Sequence, residues 1–173
     1  NMLSEIQGLT REQIRCRPML DEPRTIRIRF RKVGNLQYIS HLDLQRTIHR
    51  IFVRSGIPVW YTKGFNPHIK IIFSTPLSIG MESECEMLDF RVEREISCDE
   101  IRELINREVT DEMRILEVYE PKEKFSSYVW AEYQMEFVSR ETNKEIAVQM
   151  CNLTKNEHLL ATKITKSGIK EYD

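Results

Sequence analysis

Residues 25–31 read Thr25-Ile26-Arg27-Ile28-Arg29-Phe30-Arg31, and this stretch decides the fold. Its apolar residues alternate with arginines, which is the period-two pattern of a strand with one buried face. A second run, Leu88-Asp89-Phe90-Arg91-Val92-Glu93, repeats the alternation with acidic and basic residues between the apolar ones. The two runs therefore predict two strands that each turn a single face toward the core.

The segment between these runs contains a predicted helix that begins at Ser40. The Ser40 hydroxyl can cap the first turn, and Asp43, three residues on, can reach back to complete a capping box. Apolar residues then recur at helical spacing until Gly56 ends the helix. A second capping box, Ser97 with Glu100, predicts another helix after the second alternating run.

Short apolar runs at residues 69–73 and 113–119 complete the order strand, helix, strand, strand, helix, strand. This is the order of the ferredoxin-like split βαβ fold, so the predicted class is α+β.

The remaining chain is predicted to extend this core at both ends. Residues 1–23 form an N-terminal extension that is partly irregular, with a short helical turn near Arg11–Arg15, and residues 24–173 form the domain. A turn at 166–168 and a new strand before the last residue indicate a hairpin that the chain end cuts short. The predicted C-terminal strand–helix–strand unit consists of a strand at 128–138, a helix at 142–152 and a strand at 159–165.

The charges are divided between two successive segments, although the net charge is only −1. Residues 24–70 contain ten lysines or arginines and one acid, whereas residues 82–124 contain fifteen acids and seven basic residues. The division indicates either two faces with different partners or two neighbouring segments that neutralise each other.

Several function classes are disfavoured by what the sequence lacks. Its four cysteines are scattered without a CxxC pair, which argues against a zinc site or an iron–sulfur cluster. It has no signal peptide and no apolar run of membrane length. We therefore predict a cytoplasmic protein with no metal, no cofactor and no membrane partner.

The block Tyr38-Ile39-Ser40-His41-Leu42-Asp43-Leu44 concentrates polar residues at the predicted N-terminus of the first long helix. Free backbone N–H groups and the positive end of the helix dipole suit a phosphate or a carboxylate there. His41 would act as hydrogen-bond donor or as an acid/base group. Asp43, however, has a structural role in the cap and would repel an anion.

The block Lys63-Gly64-Phe65-Asn66-Pro67-His68 is a predicted loop. An aromatic residue with basic neighbours on a rigid loop could stack on a base while Lys63 and His68 contact phosphate. Alternatively, Phe65 fills the core and its basic neighbours are solvated. The predicted acid/base candidates are His41, Asp43 and His68, and the predicted substrate-binding residues are Ser40, His41, Lys63, Gly64, Phe65, Asn66, His68 and Lys70.

The two blocks form one site only if His41 and the Asn66–His68 turn approach within roughly 10 Å.

Arginines on the first strand and on the following helix are candidates for contact with an RNA backbone. Cross-strand ion pairs with Asp89 and Glu93 are the alternative use of the strand arginines. The predicted nucleic-acid contacts are Arg27, Arg29, Arg31, Arg46 and Arg50.

The sequence shows no P-loop, Rossmann fingerprint, GxSxG or HExxH motif. It therefore favours a protein without catalytic activity of its own.

The ordered motifs resemble a bacterial family, the radical SAM-linked proteins, over residues 25–173. They are Ile26-Arg27-Ile28-Arg29-Phe30, the block at 38–44, Gly64-Phe65-Asn66-Pro67-His68, Pro76-Leu77, Gly80, Glu82-Ser83-Glu84 and Asp89. The characteristic positions of that family fall here on Ser40, His41, Asp43, Gly64, Phe65, Asn66, Pro67, His68, Lys70, Gly80, Ser83, Glu84 and Asp89.

The resemblance implies an accessory domain of unassigned function, found beside a radical SAM protein or as its C-terminal part. Genes for an RNA-cleaving enzyme and for ribosomal proteins often lie nearby, which implies an RNA or ribosome-linked substrate. The chain lacks the CxxxCxxC cluster motif, so the partner would supply the radical chemistry. The alternatives are a small acid/base enzyme using His41 and His68, or an adaptor whose acidic segment 82–124 docks a partner protein.

Overall fold

The computed structural model describes residues 9–134, 136, 144–155, 161–165 and 168–172. The chain divides into two compact units, Asn1–Val129 and Trp130–Asp173. The helices and strands are α1 Arg11–Arg15, β1 Met19–Lys32, α2 His41–Ser55, β2 Ile72–Phe73, β3 Ser83–Arg94, α3 Cys98–Asn106, β4 Ile115–Tyr119, α4 Lys144–Thr154, β5 Ala161–Thr165 and β6 Gly168–Tyr172, with short 3-10 helices at Gly34–Tyr38, Asp111–Met113 and Phe125–Ser127.

The first unit is built on a four-stranded antiparallel sheet with the strand order β2-β3-β1-β4. Each helix between the strands crosses to a non-adjacent position, as split βαβ connections require. The predicted α+β class and the ferredoxin-like order of elements are confirmed.

One face of this sheet carries the core. In the β1–β3 ladder, Ile26 lies opposite Phe90 and Ile28 lies opposite Leu88, and all four side chains are buried. Phe52 of α2 packs on Phe90 with the ring centroids 4.5 Å apart. The alternation read from the sequence therefore places its apolar members under the helices, as period two dictates.

Serine caps begin both long helices of the first unit. Ser97 and Glu100 form the predicted capping box at α3. At α2 the Ser40 hydroxyl accepts a hydrogen bond from Asp43 N, as predicted. It also donates to Asp43 Oδ2 at 2.7 Å, so the Asp43 carboxylate binds the capping hydroxyl where a capping box would have it reach the backbone.

The N-terminal residues contribute more to the fold than the sequence indicated. The short helix at Arg11–Arg15 is confirmed, and its Ile14 is buried in the core. Strand β1 begins at Met19, several residues before the predicted start, and the register shifts between Met19 and Arg24. The shift hides the period-two pattern, because an irregular ladder breaks the alternation.

The predicted strand at 128–138 is wrong for its described part, since residues 128–134 form no strand. Val129 and Trp130 are largely exposed, so these apolar side chains are not packed on a sheet. Residues 135, 137 and 138 lie outside the described part of the chain. The strand predicted near 69–73 is shorter than expected and comprises Ile72–Phe73, with an isolated bridge between Tyr61 and Ile69.

The second unit contains a helix and a hairpin. The predicted helix at 142–152 is confirmed as α4 over its described residues, and the predicted strand at 159–165 is confirmed as β5 from Ala161. Strand β6 pairs with β5 in an antiparallel register that sets Ile164 opposite Ile169, so the predicted hairpin is also present.

Among the described residues, no helix is both long and apolar enough to cross a bilayer.

An ion pair between Arg17 and Glu100 ties the segment before β1 to the start of α3. Arg17 Nη1 donates to Glu100 Oε2 at 2.8 Å, and both side chains are three-quarters or more buried. The hydrogen bond from Arg17, more than the backbone bond from Ser97, lowers the pKa of Glu100 to about 2. The ionised carboxylate is therefore favoured in the folded state.

We expect Glu100→Gln to lower the free energy of unfolding at pH 7 by about 2 kcal/mol. Because the pKa of Glu100 is lower in the folded state than in the unfolded state, its ionised carboxylate stabilises the fold at pH values above the unfolded pKa near 4.5. This stabilisation is lost as the pH falls toward 2. The melting temperature should therefore differ by about 4–8 °C at pH 7, and the difference should shrink steadily by pH 3. Calorimetry across this range checks the sign; a difference that stays constant with pH would contradict the ionic origin.

Candidate functional site

The loop 62–68 is closed by hydrogen bonds between its two ends. Thr62 N donates to His68 O at 2.9 Å, and His68 N donates to Thr62 Oγ1 at 3.1 Å. The His68 ring is held as well, with Nδ1 at 3.1 Å from Thr62 Oγ1 and 3.0 Å from Asn66 O. Gly64 has φ of +139°, a conformation that other residues rarely adopt. The loop is therefore a defined structure that holds its tip in place.

Phe65 stands at this tip with its side chain fully exposed, at 106 % of the reference area. Of the two alternatives left open by the sequence, the one in which Phe65 fills the core is wrong. Lys63, Asn66 and Lys70 are also exposed. The loop thus presents an aromatic ring between cationic side chains.

His49 of α2, which the sequence did not single out, is a half-buried residue. Burial lowers the pKa of His49, and the nearby charge of His68 lowers it further. His68 is therefore near enough to α2 for its charge to act on the His49 imidazole. His49 falls between the buried and basic faces of a helix, and sequence spacing alone does not show what packs on such a position.

The adjoining side of α2 is basic. Arg46 and Arg50 are exposed one helical turn apart, and the chain has no acid between residues 44 and 81. Arg46 contacts Asp43 at 3.2 Å, but both side chains are well exposed, so the ion pair is weak and neutralises little of the Arg46 charge. We call Lys63, Phe65 and Lys70 with Arg46 and Arg50 the loop–helix surface.

His41 lies at the first turn of α2, about 12 Å of helix axis before His49. Its ring meets Phe73 edge-on, with centroids 4.7 Å apart, and its charge acts on Glu86. The hydrogen bonds of the His68 ring, by contrast, are with Thr62 and Asn66. The two histidines thus have different neighbours. The approach of His41 to the Asn66–His68 turn within roughly 10 Å stays a prediction.

A buried charged pair of residues lies near His41, and the sequence did not reveal it. Lys32 is 1 % exposed and Glu86 is 7 % exposed. Lys32 Nζ donates to Met81 O at 3.0 Å and to Gln37 O at 3.5 Å. Burial lowers the pKa of Lys32 and raises that of Glu86.

Strict alternation already places Lys32 on the same face of β1 as Ile26, Ile28 and Phe30, and the burial of Lys32 continues that pattern. Lys32 was missed because a lysine is rarely fully buried, so its position on the apolar face was not taken as burial. The sequence signal for its burial is therefore its position two residues after Phe30, at the end of the alternating run.

The three strand arginines are engaged within the protein. Arg27 is 1 % exposed and binds both carboxylate oxygens of Asp89, at 2.6 and 2.8 Å. Arg29 binds Glu117 of β4, and Arg31 donates to the carbonyl of Asp111. Since a buried guanidinium cannot reach a phosphate, the contact predicted for Arg27 with nucleic acid does not fit the structure.

The residues covering Arg27 complete its surroundings. Its guanidinium carbon lies 3.8 Å from the ring centroid of Phe125, and its Nη1 donates to the Tyr128 hydroxyl at 2.9 Å. The segment that follows β4 therefore covers Arg27 on the face of the sheet that does not carry the core.

Residues 25–173 match the model of a family described as an uncharacterised protein conserved in bacteria (DUF2344). The chain belongs to this family. Neither the curated proteins nor the solved structures gave a match. The matched range begins inside β1 and includes α2, the loop 62–68 and the buried pair Lys32 and Glu86.

No group of three or more histidine, cysteine or carboxylate side chains in the described part of the chain is arranged to hold a metal ion. The loop–helix surface offers an exposed aromatic ring and four exposed cations.

Proposed function

We propose that this chain is an accessory domain that binds RNA on its loop–helix surface and presents it to a partner radical SAM enzyme. The observation that carries the proposal is the full exposure of Phe65 on a loop closed by hydrogen bonds. Burying such a ring would stabilise the fold by roughly 1.5–3 kcal/mol, so its exposure favours a role in contact with another molecule.

The charges around Phe65 favour an anionic polymer as that molecule. Lys63 and Lys70 flank the ring in the chain, and Arg50 of α2 directly follows His49, on which the charge of His68 acts. Cations of this kind bind phosphates, and an aromatic ring adds about 1–3 kcal/mol by stacking on a base. Arg29 and Arg31 contribute less in this proposal, because each already has a partner within the protein.

The proposed partner rests on the resemblance to radical SAM-linked proteins and on a second surface. The second surface contains four exposed apolar residues, Tyr38, Leu42, Ile79 and Met81. Gly80 N donates to Gln37 O at 2.8 Å, which brings the chain around Ile79 to the segment around Tyr38. Exposed apolar residues beside the acidic segment suit a protein contact. This observation also favours the second candidate function, a protein adaptor without RNA binding.

We expect Phe65→Ala to weaken RNA binding roughly 5- to 150-fold, which corresponds to the loss of one stacked base. Its melting temperature should match that of the unchanged protein, because the ring packs on nothing. Fluorescence anisotropy with labelled bacterial RNA measures the affinity. If four cations contact phosphates, affinity should fall on the order of 100-fold between 50 and 200 mM salt.

Phe65→Tyr is the matched control, because it keeps a ring that can stack and should retain binding. An absence of RNA binding at 50 mM salt would reject the proposal and leave the adaptor as the better reading.

A further inference from the structure

We propose that the loop–helix surface takes unpaired nucleotides, so that its RNA ligand is single-stranded or carries an open loop. This inference rests on the proposed function and names the class of RNA that the same site would select.

The first argument is the exposure of the Phe65 ring. At 106 % exposure both faces of the ring are open to solvent, and the ring projects from the tip of its loop. Stacking needs an open face on the base as well. In a duplex each base has neighbours on both faces, so a protruding ring can stack only on a base that has left the helix.

The second argument is the rigidity of the loop. Four contacts among Thr62, Asn66 and His68 close it, and Tyr61 pairs with Ile69 at its base. A preformed platform loses little conformational entropy when it binds, which favours capture of a flexible strand. Tyr61 is itself 43 % exposed and provides a second aromatic side chain at the base of the loop.

The third argument is that the cations alone would favour duplex RNA. Arg46, Arg50, Lys63 and Lys70 can contact the phosphates of either form, and a duplex has the higher charge density. A preference for single strands must therefore come from stacking. Phe65 therefore discriminates between single-stranded and duplex RNA, whereas the cations contribute affinity for both.

The test compares two labelled RNAs at 50 mM salt with the full chain. One is an unstructured 12-nucleotide oligouridine, and the other is a duplex of the same length whose ends are closed by non-nucleotide linkers. We expect the single strand to bind at least tenfold more tightly. Phe65→Ala should weaken single-strand binding roughly 5- to 150-fold and duplex binding less than twofold.

Two further variants separate stacking from apolar contact. Phe65→Tyr should keep the preference, whereas Phe65→Leu, which keeps apolar area without a ring, should lose most of it. Equal affinity for the two RNAs, or a leucine variant as selective as the tyrosine variant, overturns this inference while RNA binding stands. Failure of both RNAs to bind overturns the proposed function itself.

Discussion

Replacing Asp89 with alanine is expected to lower the free energy of unfolding by about 3–5 kcal/mol. The change leaves the Arg27 guanidinium, which is 1 % exposed, without the carboxylate that binds it at 2.6 and 2.8 Å. A buried charge without a partner is costly, because the protein interior cannot replace its lost hydration. The melting temperature should fall by roughly 6–20 °C, as measured by scanning calorimetry.

Glu117→Ala is the matched control for this prediction. It removes the partner of Arg29, a cross-strand pair of similar geometry whose side chains are 33 % and 56 % exposed. Solvent replaces the lost contact there, so the cost should stay below about 1 kcal/mol. Equal losses in the two variants would show that the burial of Arg27 does not set the strength of its pair.

The double replacement of Arg27 by methionine and Asp89 by leucine should be more stable than Asp89→Ala alone. Removing both charges together leaves no ion unpaired, and apolar side chains of similar volume fill the space. Phe125 and Tyr128, which cover Arg27, would then pack on methionine.

Replacing Phe90 with alanine is the second large effect, with an expected loss of about 3–5 kcal/mol. Phe90 is 1 % exposed on β3, and its ring packs at 4.5 Å on Phe52 of α2. The change would leave a cavity between the sheet and the helix that carries the basic side of the loop–helix surface. Denaturant unfolding measures the loss as a lower midpoint with an unchanged slope.

Val53→Ala, on the exposed side of the same helix, is the control and should change stability by less than about 0.5 kcal/mol. A comparable loss of stability in both variants would mean that the contact between the sheet and α2 does not determine the loss in the Phe90 variant. RNA binding by the Phe90 variant should fail only where the domain unfolds, because Phe90 lies in the core.

Local patterns predicted most of the first unit correctly. Alternation in residues 25–31 and 88–93 gave β1 and β3 their buried faces, and Ser40 and Ser97 gave α2 and α3 their starts. These features depend on spacing along the chain and on contacts a few residues apart, which a sequence displays directly.

The same reasoning failed where a partner strand was needed. Residues 128–134 are rich in aromatic and apolar residues, as strands are, yet Trp130 is 93 % exposed and the segment forms no strand in the described chain. Composition shows that a segment could pair, whereas a strand exists only where a neighbour satisfies its backbone groups. The burial of Lys32 was missed for a different reason, because alternation gives the face of a side chain but does not show that other segments cover a charged one.

For the candidate site, the sequence by itself determined which residue types the loop contains. It placed an aromatic residue and cations on one turn-rich loop, closed by residue types that favour turns. Only the tertiary structure decided that Phe65 faces solvent and that Arg27 is enclosed by Asp89 and Phe125. The physical reason is that burial and pairing depend on which distant segments meet, and such contacts leave no local pattern in the chain.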